Sequence, residues 1–152
     1  MNDTLLPNPR RIDWAILLIR IAAGMAFIFH GSGILFRWFG GPGIEGFAGA
    51  THLPVAVVVL VGLAQFLGGL AILTGVLTRL GAACTAIVML GAIALVHWPH
   101  GYDITKNGCE YALTQFLNSV VLILTGAGDY SLVRLLPKYQ RPQGTGTAVP
   151  QT

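Results

Sequence analysis

Four long apolar runs dominate this sequence, and they cover residues 14–36, 53–74, 78–98 and 111–126. A helix needs about 20 apolar residues to cross the hydrocarbon core of a bilayer, and the runs approach or exceed that length. They are also continuous, whereas the strands of a membrane β-barrel alternate apolar and polar residues. The sequence therefore predicts an all-α protein, a four-helix transmembrane bundle.

Composition supports a membrane protein over a soluble domain. Of the 152 residues, 54% are hydrophobic and 10% are charged, whereas soluble domains average about 25% charged residues. The formal charge is +3, but the basic residues flank the apolar runs and form no nucleic-acid-binding patch. We therefore expect the lipid bilayer as the main partner, with other membrane protein subunits or further copies of this chain, and no nucleic acid.

The basic residues also predict an orientation. If the chain crosses four times, Arg37 and Lys106 fall on one side, and most of the others fall on the opposite side: Arg10, Arg11, Arg79, Arg134, Lys138 and Arg141. Cytoplasmic loops carry the excess of lysine and arginine. This pattern predicts a multi-pass protein of the bacterial inner (cytoplasmic) membrane with both termini in the cytoplasm.

Turn residues divide the chain further. We expect a cytoplasmic tail over residues 1–12, a membrane domain over 13–136 and a disordered cytoplasmic tail over 137–152, which has no apolar set. Within the domain, residues 44–50 predict a short interfacial helix on the outer side, and residues 75–78 predict a tight hairpin. The spacing of Cys84 and Cys109 across the membrane predicts no disulfide between them.

Polar residues within the apolar runs identify candidate functional positions, because an ionisable group inside a span is costly. His30, His97 and Glu110 come from three spans and reach a similar depth near the outer face. Histidine and glutamate there can relay protons or bind a polar head group such as a quinone carbonyl. We therefore predict a quinone or proton site at these three residues, without assigning any a catalytic role.

Three other interpretations of the same residues stay open. The cluster can simply tie helix ends together through hydrogen bonds. His30 and His97 are also suitable for a bis-histidine haem. His30, His97, His100 and Glu110 have the ligand types of a zinc site. The sequence contains no tight metal-ligand spacing, so we assign no metal ligand. It leaves the cofactor unknown, and quinone is the candidate that we favour.

Arg20 is a separate case, because it lies about 9–10 Å inside the cytoplasmic end of the first run. A guanidinium at that depth either snorkels toward the headgroups or pairs inside the bundle. The candidate partners for polar contacts within the bundle are Gln65, Gln115 and Asn118.

Short motifs in a fixed order resemble the DoxX family of small four-span membrane proteins. They are Arg20-x3-Gly24-x2-Phe27-x2-His30-Gly31, Gly68-Gly69, Gly75-x2-Thr78-Arg79, His97, Glu110-Tyr111-Ala112-Leu113 and Gly126-Ala127-Gly128-x2-Ser131-Leu132. The resemblance covers residues 16–136. It departs at Gln65, where many members carry glutamate, and at Val133, where many carry aspartate. Glutamine still forms hydrogen bonds but cannot titrate.

The resemblance implies membrane redox work, since family members are similar to a subunit of a thiosulfate:quinone oxidoreductase. We accordingly expect an accessory or quinone-linked redox subunit. The alternative is a structural or assembly subunit of a larger membrane complex with no catalysis of its own. A small-molecule or proton transporter is a third interpretation, and it requires oligomerisation because four spans are few.

Overall fold

The computed structural model describes residues 8–135, and within them every regular element is helical. The helices are α1 (Pro9–Phe36), α2 (Gly43–Thr51), α3 (Val55–Thr74), α4 (Thr78–Ala92) and α5 (Glu110–Thr125). The all-α prediction is confirmed. The predicted tail over 137–152 and most of the predicted tail over 1–12 lie outside the described residues.

Three helical segments are long and apolar enough to cross a membrane. They are Pro9–Phe36, Val55–Thr74 and Thr78–His100, which extends α4 through a π turn (Ile93–His97) and a 3-10 turn (Trp98–His100). The fourth, α5, has 16 residues. Its length of about 24 Å is less than the hydrocarbon thickness of about 30 Å. A fourth crossing therefore stays a prediction.

Local sequence explains where these helices begin and end. The Asn8 side chain accepts a hydrogen bond from the Arg10 amide at 3.0 Å, and Pro9 occupies the first turn of α1. The predicted hairpin after α3 is confirmed, with Gly75 in the left-handed region (φ 80°). A Cβ at that position would lie 2.6 Å from Arg20 Nη2, so only glycine fits.

Helix packing follows the chain: α1 packs on α3, α3 on α4 and α4 on α5, while α1 also contacts α5. The α1–α3 contact is made of backbone, because Gly24 and Gly31 of α1 face glycines of α3. A Cβ at Gly31 would lie 2.8 Å from the Cα atom of Phe66 and 2.9 Å from the carbonyl oxygen of Gly62. Small residues of this kind let membrane helices approach closely.

The outward faces of the bundle carry large apolar side chains. Leu18 of α1, Leu60 of α3, Ile87 of α4 and Leu124 of α5 are between 64% and 72% exposed. A contiguous apolar surface of this kind is suited to lipid. The chain is therefore embedded in the bilayer through these faces.

The helix predicted over residues 44–50 is confirmed as α2, which packs on α1 and α3 at the end of the bundle where α1 ends. Its place at the membrane interface stays a prediction. The segment between α1 and α2 folds back on α1, so that a Cβ at Gly33 would lie 3.4 Å from the Cα atom of Gly41. The loop and α2 thus form a wall across this end of the bundle.

Candidate functional site

A cavity of about 500 Å³ lies at that end, between the four long helices, the loop after α1 and α2. We call this region the cavity end, and the opposite end, where α3 turns into α4, the Arg20 end. Four polar side chains line the cavity: His30, Gln65, His97 and Tyr111. Most of the remaining wall is aromatic or apolar, and it includes Phe27, Phe29, Trp38, Phe39, Phe47 and Met89.

His30 projects from α1 beside the aromatic residues. Its ring centroid lies 5.5 Å from that of Tyr111 and 5.5 Å from that of Phe29, which it meets edge-on. Phe29 in turn stacks on Phe39 at 5.2 Å. His30 makes no side-chain hydrogen bond within residues 8–135, so its ring nitrogens can serve a ligand.

His97 reaches the same cavity because the helix changes its winding. His97 comes eight positions after Met89, and in a regular helix of 100° per residue their side chains point about 80° apart. The π turn at Ile93–His97 takes up an additional residue, which turns His97 back toward the face of Met89. Both side chains consequently line the cavity.

The His97 ring has a fixed orientation. Its Nδ1 lies 2.8 Å from the carbonyl oxygen of Asn107. A carbonyl oxygen only accepts hydrogen bonds, so Nδ1 carries the hydrogen and Nε2 stays free in the neutral ring. The loop over residues 101–109 therefore holds His97 with one acceptor nitrogen available.

Tyr111 and Gln65 complete the polar set. Gln115 Nε2 donates to Tyr111 Oη at 3.0 Å, and Asn118 Nδ2 donates to Gln115 Oε1 at 3.1 Å. Since Tyr111 Oη accepts from Gln115, its own hydrogen is free to be donated. Gln65 is 5% exposed and makes no hydrogen bond to the described part of the chain, so its amide also has free capacity.

Of the three residues predicted to form a site, the structure brings His30 and His97 to one cavity and leaves Glu110 outside it. Glu110 is the first residue of α5, and its Oε2 accepts a hydrogen bond from the Ile104 amide at 3.3 Å. Its carboxylate therefore binds the loop that precedes α5. Among residues 8–135, no three histidine, cysteine, aspartate or glutamate side chains lie close enough to hold a metal ion.

Arg20 does not snorkel, and it does not contact Gln65, Gln115 or Asn118 as predicted. It is 1% exposed and binds backbone carbonyls. Nε donates to the Ile72 oxygen and Nη2 to the Leu73 oxygen, both at 2.8 Å. Nη1 donates to the oxygens of Ala127 at 2.8 Å and Tyr130 at 2.5 Å.

Arg20 binds these backbone carbonyls for a simple reason. The last carbonyls of a helix have no partner within it and form the negative end of its dipole. Ile72 and Leu73 are in the last turn of α3, so a buried cation beside them replaces both missing hydrogen bonds. The loop after α5 provides the other two acceptors. Arg20 thus joins three segments of the chain at the Arg20 end.

The sequence prediction missed several lining residues, notably Tyr111, Phe29, Trp38 and Phe39. One available signal was the spacing of Tyr111 and Gln115, which are four residues apart and therefore neighbours on a helix surface. No comparable signal marked Trp38 and Phe39, because they follow the helix and their direction depends on how the loop folds back.

The chain has recognisable relatives. The sequence model of the DoxX family matches residues 15–98. The chain is 35% identical over 126 residues to the "Inner membrane protein YqjF" of Escherichia coli (strain K12), which is 83% of this chain and 95% of that protein. It is 28% identical over 111 residues to the "Putative oxidoreductase CatD" of Bacillus subtilis (strain 168), covering 73% of this chain and 78% of that protein. No solved structure matches the chain significantly.

Proposed function

Because the chain belongs to the DoxX family of membrane proteins, we propose that it is a quinone-linked redox subunit of the bacterial inner membrane. A quinone head group would bind in the cavity. The observation that carries this proposal is that one cavity has mainly aromatic and apolar walls and is also lined by four polar side chains. A relative named as an oxidoreductase supports the same class of function.

The size and chemistry of the cavity suit such a ligand. Small-molecule sites measure about 300–1,000 Å³ and combine apolar walls with a few polar groups, and this cavity measures about 500 Å³. A quinone has a flat ring and carbonyl oxygens that accept hydrogen bonds. Tyr111 Oη and the Gln65 amide would donate to those oxygens, while Phe29, Trp38 and Phe39 would contact the ring.

When bound, a quinone supplies a carrier for two electrons and two protons. His30 and His97 are the residues suited to proton exchange, because an imidazole ring can accept a proton on one nitrogen while the other nitrogen donates. The hydrogen bond to Asn107 orients His97 so that Nε2 is the atom that accepts or releases the proton. Gln65 stays neutral throughout and binds without titrating.

We also propose that α5 completes a fourth crossing and that the Arg20 end faces the cytoplasm, so the cavity end is on the outer side. The supporting observation is that Arg79 and Arg134 lie at the Arg20 end. A membrane-impermeant maleimide applied to intact spheroplasts should label Lys106→Cys and leave Val76→Cys unlabelled, both in a cysteine-free background. Labelling of Val76→Cys alone would reverse the orientation.

Trp38 provides a direct readout of binding, because it lines the cavity while Trp14 packs against Tyr130 at the Arg20 end. With Trp14→Phe and Trp98→Phe, Trp38 is the remaining tryptophan. Adding a lipid-soluble quinone to this protein in nanodiscs should quench its emission with saturation. Linear, non-saturating quenching would contradict the proposal and leave the assembly-subunit interpretation.

Two histidines offer a matched pair for locating the site. His97 Nδ1 binds the Asn107 carbonyl and His100 Nδ1 binds the Val96 carbonyl, but His97 lines the cavity and His100 does not. We expect His97→Phe to weaken quinone binding about 10-fold, the equivalent of about 1.4 kcal/mol, and His100→Phe to leave it unchanged. Tyr111→Phe should weaken binding about 3- to 10-fold through loss of one hydrogen bond. Equal affinities in all variants would disprove the site assignment.

A further inference from the structure

A second hollow lies on the outward face of α3 and α4, and every side chain along it is apolar. It has a volume of about 350 Å³. Its walls include Leu53, Val57 and Leu60 of the α3 side and Ile87, Gly91 and Leu95 of the α4 side. We call it the apolar groove.

The apolar groove adjoins the polar cavity. Phe47 of α2 lines both, so its ring forms a wall common to the two. On each of the two helices, neighbouring residues line different hollows. On α3, Ala64 lines the groove and Gln65 lines the cavity. On α4, Val88 lines the groove and Met89 lines the cavity. The two hollows therefore lie on neighbouring faces of the α3–α4 pair and meet at α2.

The apolar groove is elongated along the helices. On α4 it extends from Cys84 to Leu95. At 1.5 Å per residue this is about 16 Å, roughly half the hydrocarbon thickness of a bilayer. A groove of this shape, with no polar side chain and one end beside the cavity, fits a hydrocarbon chain attached to a head group.

We propose that the apolar groove holds the isoprenoid tail of the quinone whose head group binds in the cavity, with the tail passing Phe47. This inference rests on the proposed function and specifies its substrate class: a lipid quinone with a long tail, in preference to a short water-soluble quinone. Since surrounding lipid is as apolar as the groove, the benefit comes from close packing. The contribution to affinity is accordingly several-fold.

Glycines offer a matched test, because a Cβ at Gly91 or at Gly49 would meet no atom within 4 Å. Gly91→Leu fills the apolar groove without a clash, whereas Gly49→Leu adds the same side chain to α2 away from both hollows. The probes are two quinones with the same head group, one carrying a ten-carbon tail and one a methyl group. Affinity is read from Trp38 emission in nanodiscs.

We expect Gly91→Leu to weaken binding of the tailed quinone about 5-fold, which corresponds to about 1 kcal/mol, and to leave the methyl quinone unchanged. Gly49→Leu should change neither. Ala64→Phe fills the same groove from α3 and should repeat the result if Gly91→Leu does not fold. Unchanged affinity for the tailed quinone in both fillers, or equal weakening of both quinones, would overturn the inference. Failure of the unmodified protein to bind either quinone would instead overturn the proposed function itself.

Discussion

The two ends of the bundle use polar residues in opposite ways. At the Arg20 end, the guanidinium makes four hydrogen bonds to carbonyls and is closed in by Gly75. At the cavity end, His30 and Gln65 make no side-chain hydrogen bond to any residue from 8 to 135, and Tyr111 retains a free hydrogen. The first arrangement joins helices, and the second leaves polar groups available for a ligand.

This difference matters more in a bilayer than in water. Lipid offers no hydrogen bonds, so a polar group without a protein partner is costly there. The small Thr78 hydroxyl is buried without a partner among residues 8–135 at the Arg20 end, but the larger polar groups there are bonded. The unused hydrogen-bonding capacity at the cavity end fits the proposed ligand site, because functional sites commonly retain groups that reduce stability.

The largest effect should come from breaking the Arg20 end. Arg20→Met leaves four carbonyls without their donor, so we expect a loss of about 3–5 kcal/mol in the free energy of unfolding. Arg79 serves as the control, since it is exposed and has one long hydrogen bond of 3.4 Å to Leu124. Arg79→Met should cost less than about 1 kcal/mol. Unfolding in mild detergent by a titrated denaturing detergent measures both.

Arg20→Lys tests whether the charge or the directed hydrogen bonds stabilise the Arg20 end. Lysine keeps the charge but offers three donors from one atom, so it cannot reach carbonyls on α3 and after α5 together. We expect most of the destabilisation of Arg20→Met to persist. If Arg20→Lys were as stable as the natural protein, charge alone would hold this end, and the assignment of four directed hydrogen bonds would be wrong.

A substitution at the cavity end should have an intermediate effect on the free energy of unfolding, and its sign should be opposite to that of Arg20→Met. Gln65 and Gln115 are both 5% exposed, but Gln115 is bonded to Tyr111 and Asn118 while Gln65 has no such bond within the described chain. Gln65→Met should therefore raise the free energy of unfolding by up to about 1 kcal/mol, whereas Gln115→Met should lower it by about 1–2 kcal/mol.

The same Gln65→Met protein should bind quinone about 3- to 10-fold more weakly, because one donor to the ligand is lost. Unfolding curves and Trp38 quenching on one preparation test both parts. A Gln65→Met protein that is less stable than the natural one would show that Gln65 serves packing, and the contrast between the two ends would fail.

The smallest effect on stability should appear in the exposed loop over residues 101–109. Asp103 accepts hydrogen bonds from the hydroxyl and the amide of Thr105 at 2.8 and 2.9 Å, and these bonds hold the pKa of its carboxyl below the ordinary value. Because the folded loop favours the ionised carboxylate, Asp103 stabilises the loop at pH values above the ordinary pKa of about 4. This stabilisation is lost as the pH falls through the lowered pKa of the folded state.

The Thr105 amide shift, followed by NMR from pH 6 downward, should therefore titrate below about pH 4. Asp103→Asn keeps an acceptor oxygen without the charge and should make the shift independent of pH. Because Asp103 is fully exposed, quinone binding should not change in this variant. A Thr105 amide shift that does not titrate in the natural protein would exclude the carboxylate as its partner.

The sequence predicted the helices better than the polar contacts. Apolar runs, proline and glycine mark α1, α2, α3 and the α3–α4 hairpin, since these signals act within a few residues. The sequence does not predict the partners of Arg20, because backbone carbonyls become available only where one helix ends beside another. Glu110 was grouped with the histidines by depth alone, and depth does not fix the direction of a side chain.

By itself, the sequence determined a membrane-embedded helical protein with costly polar residues, because hydropathy and periodicity are properties of the chain. Only the tertiary structure decided which of those residues meet. His97 joins His30 because a π turn rotates it by part of a turn, and Phe47 and Trp38 line the cavity because the loop after α1 folds back on Gly33. Composition does not predict small changes in helix winding or loop direction, yet these changes determine which face of the helix a side chain occupies.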